Sequence, residues 1–245
     1  MANKPRILVY DIETSPVRAW TFQIGREINI DYDQIIDGDR FDIICIGWKW
    51  LDEKEVHCLD WGCKKQDSEP MISEFTKVIE QADLAIAHNG DKFDLRQINT
   101  QRLISKKPPI AWPATEDTLK QFRKHFYLPS YKLDFIAKLL LGEGKGKMVF
   151  KDWKDIVQNK DPEALAKMIK YCKRDVSITA RCFKRAMAFF TPKIHAGVVL
   201  SKGRDSCPRC GSKESGSKGV RYTTVGKFSR RQCKKCGTTY RGKKI

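Results

Sequence analysis

Val9-Tyr10-Asp11-Ile12-Glu13-Thr14 closes the first apolar run of the chain, which opens at Ile7-Leu8. The β-type residues from Arg6 to Asp11 predict a strand. Side chains at i and i+2 of a strand point the same way, so Asp11 and Glu13 aim at one place. Two neighbouring carboxylates repel unless a cation lies between them, and oxygen ligands suit a hard ion such as Mg²⁺ or Mn²⁺. A lone Asp at a strand end is usually a turn or cap residue. The reading therefore turns on whether other acids reach the same place.

Two further stretches supply them. His88-Asn89-Gly90-Asp91-Lys92-Phe93-Asp94 follows a short buried strand, Leu84 to Ala87, and opens a helix expected over 92–104. Asp94 is expected to face inward, and Asp91 to cap the helix. Tyr171-Cys172-Lys173-Arg174-Asp175 lies on a helix that starts at Asp161-Pro162-Glu163, a capping side chain followed by proline in the first turn. That helix runs to about Phe190, with room for a break near Asp175. Tyr171 and Asp175 are four apart and share a face. A carboxylate there can hold a metal while the phenol hydrogen-bonds an attacking water.

The remaining pattern gives strands over 43–50 and 56–61, then a helix over 69–81 with Ile72, Phe75 and Ile79 on one face. Further helices are expected over 116–125 and 133–141. Residues 14–42 form a polar stretch holding Asp31, Asp33, Asp37 and Asp39, but Gly and Glu are not at the spacing of a calcium loop. A solvated insertion is expected. The Gly142–Lys147 loop matches no phosphate-binding fingerprint. Asp117 and Asp134 read as cap and surface residues. Three strands, a helix, a fourth strand and then mostly helices make an α/β domain over 1–195.

Together, the acid pair on the first strand, Asn89-x-x-x-Phe93-Asp94 after a later strand, and Tyr171-x-x-x-Asp175 on the last long helix carry a resemblance. The chain resembles DEDDy-type 3′→5′ exonucleases of the DnaQ-like, RNase H-like superfamily. The likeness is to the proofreading exonuclease domain of family B DNA polymerases and its stand-alone relatives. Ser130-Tyr131-Lys132-Leu133-Asp134, running into Leu139-Leu140-Leu141-Gly142, also matches that group, and the likeness spans roughly residues 5–190. It implies an RNase H-like mixed sheet flanked by helices. It implies catalytic roles for Asp11, Glu13, Asp94, Tyr171 and Asp175. Asp11 would bridge two Mg²⁺ or Mn²⁺ ions. Glu13 and Asp175 would hold the water-activating ion, Asp94 would serve the second, and Tyr171 would position the nucleophile.

The composition changes near 195–203, where large aliphatics nearly vanish. Cys207-Pro208-Arg209-Cys210-Gly211 and Cys233-Lys234-Lys235-Cys236-Gly237 then present two Cys-x-x-Cys pairs. Four thiolates so arranged close a tetrahedral structural zinc site, and a segment so poor in aliphatics needs that metal to fold. A zinc ribbon is expected over 203–245, with 220–225 and 228–232 as a hairpin. Residues 193–245 hold 15 of the chain's 47 Lys and Arg against two acids, Asp205 and Glu214, within a net charge of +17. A basic surface interleaved with aromatics suits a nucleic-acid backbone. The residues nominated for that contact are Arg209, Arg221, Tyr222, Lys227, Phe228, Arg230, Arg231, Lys234 and Lys235. Single-stranded DNA is favoured over RNA as the partner, and a replication or repair protein is the other partner considered.

The other five cysteines, Cys45, Cys58, Cys63, Cys172 and Cys182, are scattered and read as ordinary reduced residues. No apolar run approaches the roughly 20 residues of a membrane span, and the N-terminus lacks a signal-peptide pattern. A cytoplasmic protein is expected. Two rival functions remain: an inactive nuclease fold acting as a nucleic-acid clamp, and a structure-selective endonuclease on the same fold.

Overall fold

The computed structural model describes residues 4–25, 27–144 and 146–245. The expectations placed on Met1 to Asn3, on Arg26 within the polar insertion and on Lys145 within the glycine–lysine loop fall outside these residues. A five-stranded mixed sheet organises the first 190 residues. Its strands are β1 (Ile7–Thr14), β2 (Ile43–Trp50), β3 (His57–Asp60), β4 (Leu84–Ala87) and β5 (Ala114–Asp117), in the order β3-β2-β1-β4-β5. β1 runs antiparallel to β2 and parallel to β4. The central position of β1 explains its apolar run, since both its faces are covered. β2 is likewise buried along nearly its whole length.

Two helices sandwich this centre. α1 (Ser68–Ile79) starts where the Asp67 side chain accepts from the Glu69 amide at 3.0 Å. It buries Ile72, Phe75 and Ile79, and Phe75 meets Tyr10 of β1 and Trp48 of β2 at ring-centroid distances of 5.7 and 5.9 Å. On the opposite face lies α6 (Pro162–Ala186), capped by the Asp161 side chain at the Glu163 and Ala164 amides. α6 is 25 residues long and continuous. The break allowed for near Asp175 does not occur, because the helix stays amphipathic through that turn.

The remaining helices are α2 (Asp94–Ile104), α3 (Thr118–His125), α4 (Leu133–Leu141), α5 (Phe150–Val157) and the short α7 (Ala196–Val199). β5 is absent from the sequence expectation, which began a helix at Glu116. Its four residues, Ala114-Thr115-Glu116-Asp117, are too polar to signal a strand, yet they pair with β4 in parallel register. α5 is likewise absent from the sequence expectation. Asp91 does not cap α2: its carboxylate pairs with Lys120 Nζ at 2.8 Å, and α2 has no side-chain cap. Asp117 does cap a helix, accepting from the Leu119 amide at 2.9 Å.

The 15–42 segment closes on itself. Ser15 and Asp42 tie its ends, and Arg18 forms a two-pronged pair with Asp39 at 2.7 and 2.8 Å. Among the described residues, its aspartates form no metal-ligand cluster.

A second sheet follows α7, antiparallel, in the order β6 (Ser215–Thr223), β7 (Gly226–Cys233), β8 (Thr239–Lys244). The expected hairpin is present with longer arms, and β8 adds a third strand. Arg209 ties this small unit to the first domain. It reaches back to Glu116 of β5, with guanidinium–carboxylate distances of 2.8 and 3.0 Å. Both side chains are almost wholly buried, at 4% and 0% exposure. The guanidinium also lies 5.3 Å from the centre of the Phe183 ring. Among the described residues no helix is long and apolar enough to cross a membrane.

Candidate active site and cysteine centres

The face of the sheet that looks toward α6 is set by strand register. Asp11 lies opposite Gly47, and Glu13 opposite Cys45. Residues opposite one another share a face, so the acids of β1 and these two positions of β2 all front α6. A Cβ on Gly47 would sit 2.8 Å from Cys172 Sγ and 3.1 Å from Val176 Cγ2. The glycine therefore lets α6 approach closely. That approach brings Asp175 to the end of β1, where Asp11, Glu13 and Asp175 each present a carboxylate oxygen, all within 4.8 Å of one another. Asp175 is fully buried and Asp11 and Glu13 are half-buried.

Asp94 belongs to the same neighbourhood but not to that trio. It is 2% exposed, and its Oδ1 accepts the Ile12 amide at 3.1 Å, between the two β1 acids. The turn that delivers it is tight. A Cβ on Gly90 would lie 2.4 Å from the Ala87 Cβ, and Asn89 adopts φ +69°, a left-handed conformation that asparagine tolerates. The Asp117 carboxylate holds the Asn89 amide at 3.0 Å while capping α3. His88 is fixed by Thr118 Oγ1 at 2.9 Å and the Tyr131 carbonyl at 3.0 Å. Beside this turn opens a cleft of about 650 Å³ lined by His88, Asn89, Leu119, Arg123, Tyr131 and Lys132.

Tyr171 lies one turn before Asp175, half-buried, under Gly146, where an added Cβ would come 3.1 Å from the ring. Tyr10, one residue before the acid pair, has its phenol pushed well above the usual range. Burial is the main cause, followed by the charges of Asp94, Asp91, Asp117 and Asp11. Those four carboxylates therefore lie close enough to the phenol for their charges to add to the effect of burial. Three converging carboxylates, with a fourth beside them, fit Mg²⁺ or Mn²⁺ and fit soft ions poorly.

The four tail cysteines also converge. Cys207, Cys210, Cys233 and Cys236 present sulfurs within 4.8 Å of one another. Two like turns shape them: Gly211 N donates to Cys207 O at 2.8 Å, and Gly237 N to Cys233 O at 3.0 Å, with both glycines left-handed. This donor set fits a structural Zn²⁺. Of the nominated ribbon residues, Arg221, Tyr222, Lys227, Arg230, Lys234 and Lys235 are exposed, and Phe228 and Arg231 half-buried. Lys227 lies 5.6 Å from the Tyr222 ring centre, and Arg241 lies 4.4 Å from that of Phe228. Arg209 is a correction: its guanidinium is turned inward onto Glu116 and has no surface to offer a phosphate. The hidden acid of β5, itself missed in the sequence, is the reason.

A third convergence carries no signal in the sequence. Cys45, Cys58 and Cys172 come from β2, β3 and α6 and also lie within 4.8 Å of one another. No spacing announces it, because the three sulfurs meet only when the sheet and α6 are assembled.

A family model described as the RNase H superfamily matches residues 30–187. Among solved structures, the family B DNA polymerase from the hyperthermophilic archaeon Pyrobaculum calidifontis is similar, with a TM-score of 0.57 and 15% identity. The alignment covers 75% of this chain and 25% of the polymerase, so the chain corresponds to about a quarter of that protein's length. No curated protein sequence matches the chain.

Proposed function

The chain belongs to the RNase H superfamily, and we propose that it is a 3′→5′ exonuclease releasing nucleoside monophosphates from single-stranded ends, DNA in preference to RNA. The observation that carries this reading is the meeting of Asp11, Glu13 and Asp175 at the end of β1, with Asp94 bonded to the strand between the first two. These four side chains would hold two Mg²⁺ or Mn²⁺ ions. Such a pair of ions stabilises the attacking and leaving oxygens of an in-line displacement.

The chain's own residues supply the rest. Tyr171 orients the water through its hydroxyl. The cleft beside His88 and Asn89 takes the terminal nucleotides, with Tyr131 as a stacking platform and Arg123, 5.7 Å from its ring centre, facing the phosphates. The exposed cations of β6 and β7 grip the strand farther from the cut. The two units, 1–195 and 203–245, then divide the labour into chemistry and holding. The Arg209–Glu116 pair keeps the holder fixed rather than tethered.

The test is a time course on 5′-labelled single-stranded DNA and RNA with Mg²⁺ or Mn²⁺. Stepwise shortening to mononucleotides, blocked by a modified 3′ end, is the expected result. Internal cuts in a circular single strand would replace this reading with an endonuclease. Binding without any cleavage would replace it with a clamp.

A further inference from the structure

We propose that Cys45, Cys58 and Cys172 form a second metal centre, one that takes a single thiophilic cation such as Zn²⁺ or Cu⁺ and pins α6 to the sheet beside the acid cluster. The site assembles from three elements. Cys45 and Cys58 share a face across β2 and β3, because Cys45 lies opposite Asp60 and Cys58 opposite Gly47. Cys172 descends from α6 onto that face, into the space Gly47 leaves, where a Cβ would be 2.8 Å from its sulfur. The three sulfurs lie within 4.8 Å of one another.

That spacing is close to what a metal needs. Zn–S bonds of about 2.3 Å put tetrahedral sulfurs about 3.8 Å apart, so the trio needs at most about 1 Å of contraction. Sulfur donors favour soft cations over Mg²⁺ or Mn²⁺, so with Mg²⁺ in excess at the carboxylate cluster this centre is left to Zn²⁺ or Cu⁺. Buried thiols alone can pack as small apolar groups. Packing gives no reason, however, for three sulfurs from separate elements to face one point. Among the described residues no fourth Cys, His, Asp or Glu joins them within that radius. Three-coordination, or a water in the fourth position on the half-buried Cys58 side, follows. Loading exchanges three thiol protons for one cation.

The location gives the centre its consequence. Cys172 follows Tyr171 directly, lies one helical turn from Asp175, and its thiol donates to the Asp11 carbonyl at 3.5 Å. A cation here would fix the turn of α6 that carries both residues.

The experiment counts metal on the full-length chain, loaded with Zn²⁺ under reducing conditions with Mg²⁺ in excess to occupy the acid cluster, and freed of unbound zinc. Two zinc ions per chain are expected, falling to one in Cys58→Ala, whose half-buried side chain on β3 is the least demanding of the three to replace. Separate loading with Cu⁺ after the ribbon is filled with Zn²⁺ should add one equivalent, again lost in Cys58→Ala. Should that variant fail to fold, ¹¹³Cd NMR of the unmodified chain decides: two resonances are expected, one for four and one for three sulfur donors. A single zinc per wild-type chain with no uptake of Cu⁺, or a single ¹¹³Cd resonance, would overturn the proposal.

Discussion

At the scale of the residue, most of the proposed chemistry depends on a few oxygen atoms held at short range. Asp175 sits fully buried at the meeting point with Asp11 and Glu13. Asp175→Asn keeps its shape and removes the charge that would hold a cation. Hydrolysis should fall to background, while melting temperature and strand binding stay close to wild type, as thermal scans and filter binding would report. Tyr171→Phe keeps the ring under Gly146 and deletes the hydroxyl. Turnover should drop by about 10–1,000-fold, the range expected for one positioned hydrogen-bonding group. An unchanged kcat would leave Tyr171 as a packing residue. Arg209 is a residue of a different kind. Truncating one partner of a buried ion pair leaves an uncompensated charge and costs about 3–5 kcal/mol. Arg209→Met should therefore destabilise strongly in urea titrations, and adding Glu116→Gln should restore much of that stability. If Arg209→Met unfolds like wild type, the pair does not hold the two sheets together.

Elements set where those residues meet. β1 supplies two acids on one face, and α6 supplies Tyr171 and Asp175 one turn apart. Their meeting depends on how near α6 can lie to the sheet, and Gly47 on β2 sets that distance. Gly47→Val would drive two methyl groups into Cys172 and Val176. Overpacking of this kind costs about 1–3 kcal/mol and should lift α6 from β1. The expected signature is weaker activation by Mg²⁺, seen as a higher metal concentration for half-maximal rate, with the substrate KM little changed. A variant with unaltered metal dependence would show that the acids meet without that close approach. β5 makes the complementary point. A short strand that ends on two buried acids forms because its backbone pairs with β4, while Glu116 is answered by Arg209 and Asp117 by the amides it caps.

On the whole-molecule scale, charge is divided between two units. The basic excess lies in the last fifty residues, whereas the proposed chemistry lies in the first 190. Changing Arg221, Lys227 and Arg230 together to Gln leaves Arg209 and the cysteines intact. For every phosphate on a single strand that these cations no longer neutralise, the slope of log K against log salt should shrink by about 0.7, so by about two units in all. KM on long strands should rise far more than kcat falls. Salt slopes that match wild type would make the ribbon a structural or protein-docking unit instead. Deleting residues 201–245 outright is a less clean comparison, because it would strand Glu116 in the core.

Local chemistry made much of this legible. Alternation on β1 predicted that Asp11 and Glu13 share a face, and strand register places them so. Cys-x-x-Cys spacing predicted the four-sulfur cluster, because each turn is short enough to be encoded by neighbours. The capped start of α6 was readable in Asp161-Pro162, since capping is an interaction over two or three residues. What the sequence could not determine were the meetings between elements far apart in the chain. The inward turn of Arg209 depends on Glu116, 93 residues away. The seat of Cys172 depends on Gly47, and the cysteine trio draws on β2, β3 and α6. Such meetings are decided by which faces pack together and how closely. Only the folded chain fixes that, because burial and backbone pairing across the whole sheet choose the arrangement and no single stretch carries it.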